Sequence, residues 1–135
     1  MTKVNKEEAI AGELLRAEQA LKAFQLLAEG GVLSDAVSRL YYFLLHRVKA
    51  LLLTEGLEPK SHEGALHWFS EHFVKDGPLT SADSHFFASL MKYREEADYS
   101  PSFIFTDTDV KKLRVETVAL SDKIADLIRK AGFKA

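Results

Sequence analysis

Two short stretches hold the residues best suited to chemistry. Residues 38–53 read SRLYYFLLHRVKALLL and carry Arg39 and His46 inside an apolar run; residues 92–101 read KYREEADYSP and carry Arg94, Asp98 and Tyr99. A guanidinium pairs with a carboxylate or phosphate through parallel N–H bonds, and an imidazole can exchange a proton near neutral pH. A phenol, with an ordinary pKa of about 10, is a poor base there. Its oxygen can still accept a transferred group.

On a helix of about 3.6 residues per turn, Arg39, Tyr42, Phe43 and His46 share one stripe. Leu40 through Leu45 are six consecutive apolar or aromatic residues, so this helix has no fully polar face and belongs at the centre of the packing. An arginine there requires a counter-charge, because removing one member of a buried pair costs about 3–5 kcal/mol. The fourth segment offers one. With Phe86, Phe87, Leu90 and Met91 facing inward, the same period continues through Arg94, Ala97 and Asp98. The expected partner of Arg39 is Asp98, with Glu95 as second choice and Tyr99 over the same spot. As structure alone, the pair locks two helices. Arg94 stands one turn before Asp98, and His46 two turns after Arg39, so the polar groups of the two helices fall towards one region of the packing.

The elements that must position these groups are marked by clean punctuation. Gly30-Gly31, Gly56 through Pro59, Gly77-Pro78 and Ser100-Pro101 divide the chain into five apolar-periodic segments. In the first, Ile10, Leu14, Ala17, Leu21, Phe24 and Ala28 line one helical face; in the last, Val110, Leu113, Thr117, Leu120, Ile124 and Leu127 do the same. Ser34 is placed to cap the second helix and Ser61 the third. Thr80 with Asp83 resembles a capping box for the fourth, and Thr106 caps the fifth. Phe105 and Val110 stand where a hydrophobic staple would put them, which accounts for the apolar FIF at 103–105 without an exposed patch. The fourth helix should end near Asp98, since Pro101 disfavours helical geometry before it. No strand-like alternation of useful length occurs. The fold expected is all-α: one domain over residues 1–135, an up-and-down antiparallel bundle of about five helices.

Composition narrows the function classes. A net charge of −2 with interspersed signs disfavours an extensive nucleic-acid footprint. Zero cysteines rule out disulfides and thiolate metal sites and suit a reducing cytosol. The charged opening MTKVNKEEAI lacks a signal-like apolar region, and no apolar run is long enough to span a bilayer, so a cytoplasmic protein without membrane association is expected. His62, His67 and His72 recur every five residues, about 140° apart on a helix, and HEGALH is not H-E-x-x-H; neither a metal site nor a cofactor is expected. His62 is placed to hydrogen-bond towards the second helix near His46, and His85 to be solvated.

The order SRLYYFLLHRVKALL, then KSHEGALHWFSEHFVKDGPL, then YREEADYSP resembles the small prokaryotic HEPN-domain proteins, with the pattern S-R-x-Y-Y, K-H-x-G and R-x-x-A-D-Y. The resemblance covers about residues 10–130. It implies a helical bundle, often a homodimer, often encoded beside a minimal nucleotidyltransferase, and in several branches the toxin of a toxin–antitoxin pair. Phe43, Leu44 and Leu45 depart from the pattern's small and aromatic positions but stay apolar. Ribonuclease branches carry an arginine followed after four to six positions by a histidine. Arg94 stands in the matching place, yet Tyr99 follows it at that distance, not a histidine. Arg39 and His46 have the spacing but lie on the wrong helix. In a related branch the partner nucleotidyltransferase silences the toxin by attaching a nucleotide to a tyrosine so placed, a role that would fall to Tyr99. Three functions are thus in view: the nucleotide- or partner-binding half of a nucleotidyltransferase two-component system, a metal-independent ribonuclease toxin acting on RNA as a homodimer, and a non-catalytic oligomeric scaffold. On the first two the resemblance implies a cleft for a nucleotide or a partner protein lined by Arg39, His46, Arg94, Asp98 and Tyr99, with Arg94 and Tyr99 the catalytic candidates.

Overall fold

The computed structural model describes residues 2–100 and 104–135. The helices are α1 (Lys3–Glu29), α2 (Leu33–Thr54), α3 (His62–Phe69), α4 (Ser81–Tyr99) and α5 (Asp107–Lys130), with α3 continuing into a π-helical turn, Ser70–Val74. Pro101 and Phe103, which figure in the reading of the α4–α5 connection, lie outside the described residues.

Local signals set most helix ends. Ser61 accepts from the Gly64 amide, and Thr80 with Asp83 and Thr106 with Asp109 form complete capping boxes. Ser34 does not cap α2. The helix begins two residues earlier than that cap would start it, after Val32 and without a side-chain cap, because the turn that closes α1 runs straight into it. Gly31, at φ +76°, lets the Val32 amide reach back to the Leu27 carbonyl, the closing bond of a Schellman turn. Gly77 is needed for a different reason: a Cβ there would lie 2.4 Å from the Phe73 carbonyl oxygen. Phe105 and Val110 are both buried, as a staple requires, and the Phe105 ring meets Tyr93 edge-on. Ile104 beside them is 81% exposed.

Helix α2 is the centre. Thirteen of its 22 residues are buried, and it packs against α1, α3, α4 and α5. Cross-helix contacts give the directions. Lys6 at the start of α1 donates to the Thr54 carbonyl at the end of α2; Ser38 near the start of α2 meets Asp98 near the end of α4; and Lys123, late in α5, meets Asp83, early in α4. The four long helices therefore alternate in direction, as an up-and-down bundle does. The short α3 is a brace in the α2–α4 connection, held by buried Ala65 and Phe69. Among the described residues no helix is long and apolar enough to cross a membrane.

Leu44 is fully buried on α2, and the Thr117 hydroxyl on α5 is buried with no hydrogen-bond partner among the described residues. Leu44→Ala should therefore cost about 2–5 kcal/mol in urea unfolding, whereas Thr117→Val should leave stability unchanged or raise it by about 1 kcal/mol.

Candidate functional site

The partner that meets Asp98 from α2 is Ser38, not Arg39. The Ser38 hydroxyl donates to Asp98 Oδ1 at 2.7 Å, and the cation beside Asp98 is Arg94 of its own helix, with Nη1 3.6 Å from Oδ2. The expected Arg39–Asp98 pair does not form. Arg39 is half-buried, and its guanidinium lies over the Tyr42 ring, 4.7 Å from the centroid. The cause is helix phase: Ser38 and Tyr41 meet α4, while Arg39, Tyr42 and His46 turn about 100° towards α1. Arg39 and His46 line a groove of about 270 Å³ there with Arg16, Gln19, Ala20, Ala23 and Tyr42.

Arg94 holds the more enclosed position. Its side chain is 11% exposed, and the guanidinium sits over the Tyr41 ring at 5.3 Å. Nη2 donates to His62 Nδ1 at 3.2 Å, Glu95 lies at the 4.0 Å edge of ion-pair range, and Nε is buried without a partner among the described residues. Tyr41 is fully buried, its hydroxyl likewise without a partner among them, and burial raises its phenol above the ordinary value. The two tyrosines touch edge to face, and both rings contact the His62 ring. Arg94 and Arg39 thus occupy the two ends of one aromatic pair. Tyr99 lies five residues, hence about 140°, round α4 from Arg94, and is 78% exposed. It does not cover the Arg39 position; it stands open at the helix end.

His62 reaches Tyr41 and Tyr42 of α2 and Arg94 of α4, not His46. Its ring is pushed below the ordinary 6.5, first by burial and then by the Arg94 charge, so it is neutral at pH 7. Because Arg94 donates to Nδ1, the His62 proton is on Nε2. His46 holds its proton the other way. Its Nδ1 donates to Glu13 Oε2 at 2.7 Å, and Lys49 and Arg16 also face that carboxylate, at 3.8 and 4.0 Å. Burial opposes ionisation of Glu13, but the His46 hydrogen bond and the Lys49 and Arg16 charges outweigh it, leaving the group below its ordinary 4.5. The cluster can therefore offer guanidinium donors and an Nε2–H donor to an anion, and a carboxylate-oriented imidazole in the adjacent groove. His85 is exposed, and His72 pairs with Glu55 at 3.1 Å.

Glu13, Ser38 and Tyr41 were not picked out by sequence reasoning. Glu13 interrupts the apolar stripe of α1 beside Leu14 and Ala17, and a carboxylate there is the one signal that was available. A carboxyl with a lowered pKa contributes stability that is fully present above its unfolded value and disappears as pH falls through its folded value. In urea unfolding at a series of pH values, the gap between the unmodified protein and Glu13→Gln should hold steady just above pH 4.5 and close below it.

Residues 13–124 match the HEPN domain family. A Methanocaldococcus jannaschii protein named as a candidate toxin is 33% identical over 115 residues, 85% of this chain and 82% of its own. A UPF0332 protein of Thermotoga maritima is 33% identical over 123 residues, 91% of this chain and 93% of its own. A second M. jannaschii candidate toxin is 35% identical over 101 residues, 75% of this chain and 65% of its own. With a family match across most of its length and relatives at this identity, the chain belongs to the HEPN domain family.

Proposed function

We propose that this chain is the toxin-type component of a two-component system, with the Arg94–His62–Tyr41 cluster as its nucleotide- or partner-binding site and a minimal nucleotidyltransferase as its partner. The observation that carries the reading is Arg94: a guanidinium held over an aromatic ring at the rim of the bundle, with one hydrogen bond under 3.5 Å among the described residues. Its remaining Nη protons meet Asp98 and Glu95 only at 3.6 and 4.0 Å, which leaves them for an incoming phosphate or carboxylate. The M. jannaschii relatives named as candidate toxins support the same direction. Tyr99, exposed at the end of the same helix, is accessible to a modifying partner.

The test is expression in a bacterial host with and without a minimal nucleotidyltransferase of the proposed kind. Induction alone should slow growth, co-expression should relieve it, and Arg94→Ala should abolish it while the variant still folds by circular dichroism. Labelled ATP with the purified partner should mark Tyr99 and fail to mark Tyr99→Phe. Growth unaffected by the chain, together with no label on Tyr99, refutes the reading.

The contact between Arg94 and a neutral His62 favours a second reading, metal-independent RNA cleavage. The histidine absent after Arg94 in sequence is supplied from α3 in space. For this, Arg94 must turn to the phosphoryl oxygens and free His62 Nδ1, whose lone pair then takes the 2'-hydroxyl proton as that oxygen attacks phosphorus and returns it to the leaving 5'-oxygen, while the guanidinium meets the charge that builds on the phosphoryl group. If this is the activity, purified protein cleaves RNA in EDTA, and His62→Ala and Arg94→Ala each reduce the rate by about 10²-fold or more. RNA left intact under these conditions eliminates it.

A further inference from the structure

The groove between α1 and α2 gathers positive charge with no acidic residue on its walls. Arg16 and Gln19 reach it from α1, and Arg39, Tyr42 and His46 from α2. The Tyr42 ring steadies the Arg39 guanidinium, and no carboxylate among the described residues lies within ion-pair range of it. Arg16 meets Glu13 only at 4.0 Å, with its side chain 65% exposed. On the α1 wall, Ala20 and Ala23 stand about one turn apart. Their methyl groups leave space that a longer side chain would fill.

His46 supplies a third polar group. Its Nδ1 is held by Glu13 at 2.7 Å. Glu13 lines the neighbouring groove, of about 430 Å³, and not this one. The ring therefore stands between the two grooves, with the edge that carries Nε2 towards the cations. Lys49, 3.8 Å from Glu13, offsets the carboxylate's charge, so the charge of both guanidiniums is left over.

We infer that this groove is a second anion site, built for a phosphomonoester whose phosphoryl oxygens lie between Arg16 and Arg39 with His46 Nε2 as the third partner. Charge and shape select this class. A phosphomonoester carries close to two negative charges near neutral pH and spreads three acceptor oxygens apart. A carboxylate or a phosphodiester carries one. Guanidiniums offer phosphate paired N–H donors, and here they arrive from two different helices. Past Arg16, Leu53, Leu57 and Pro59 give the neighbouring groove apolar surface for the organic part of the ligand. Arg94 lines neither groove, so the inference stands apart from what its cluster binds. A small phosphorylated metabolite and the terminal phosphate of an RNA both present this chemistry.

Histidine ring resonances, followed by NMR at a pH where the phosphate is dianionic, read the site directly. His46→Gln identifies the His46 signals by their loss. Inorganic phosphate and AMP should each shift them. Arg16→Gln, at an exposed position, and Arg39→Gln should each weaken the AMP response roughly tenfold or more. Ala23→Leu should block it without removing a charge, while Arg114→Gln, exposed on α5, should leave it unchanged. Cyclic AMP, whose phosphate is a diester, should bind about tenfold more weakly than AMP or worse. A terminally phosphorylated RNA oligonucleotide that outcompetes AMP, and stops competing once its phosphate is removed, assigns the groove to an RNA end; AMP binding more tightly than the oligonucleotide assigns it to a small metabolite. The inference is overturned by His46 signals that stay in place with both phosphate and AMP, by cyclic AMP binding as tightly as AMP, or by an AMP response that Arg16→Gln and Ala23→Leu leave intact. The growth and labelling results that decide the Arg94 reading bear on none of these outcomes.

Discussion

A helix buried on every side has no water to hydrogen-bond its polar groups, and α2 is such a helix. Each polar side chain along it must be met from a neighbouring helix or run out to the rim. Ser38 is met by Asp98, His46 by Glu13, and the Tyr41 hydroxyl by nothing among the described residues. These matches fix which faces of α1 and α4 turn inward more tightly than apolar packing does, since leucines tolerate small rotations and a 2.7 Å hydrogen bond does not. The Tyr41–Tyr42 pair follows from the same constraint. Two adjacent rings diverge by about 100°, so one is covered by α4 and the other faces α1, and each collects an arginine on its face.

The two histidines are held by opposite rules. A carboxylate takes the Nδ1 proton of His46, and a guanidinium gives a proton to Nδ1 of His62. The His46 ring therefore spends its Nδ1 proton on a carboxylate, while the neutral His62 ring keeps its proton on Nε2, free for its surroundings. Neither assignment needs hydrogens to be seen, because an ionised carboxylate can only accept and an arginine can only donate. The polarity of the cluster is set by the bundle before any ligand arrives.

How much of this was legible in the sequence depended on the range of the interaction. Capping at Ser61, Thr80 and Thr106 acts over three residues, and those helix starts are where the residue types put them. Ser34 misled because Gly31 allows α1 to hand over to α2 through a backbone turn that needs no side-chain cap. The family was readable because three separated motifs keep their order along the chain. The phase of α2 was not readable: a helix apolar all round has lost the amphipathic signal that reports which side faces which neighbour. Choosing Arg39 over Ser38 as the residue opposite Asp98 was an error of one position. The approach of His62 to Arg94 joins residues 32 apart through the placement of α3, which no local pattern encodes.

The imidazole beside Arg94 rides on the shortest helix of the molecule, eight residues anchored by Ala65 and Phe69. A segment with so few anchors can detach locally at far lower free energy than the long helices need to separate. Release of α3 would withdraw His62 and uncover the Tyr41–Tyr42 pair while the other four helices stayed packed. The integrity of the polar cluster therefore rests on the docking of one short segment, and not on the packing of the long helices.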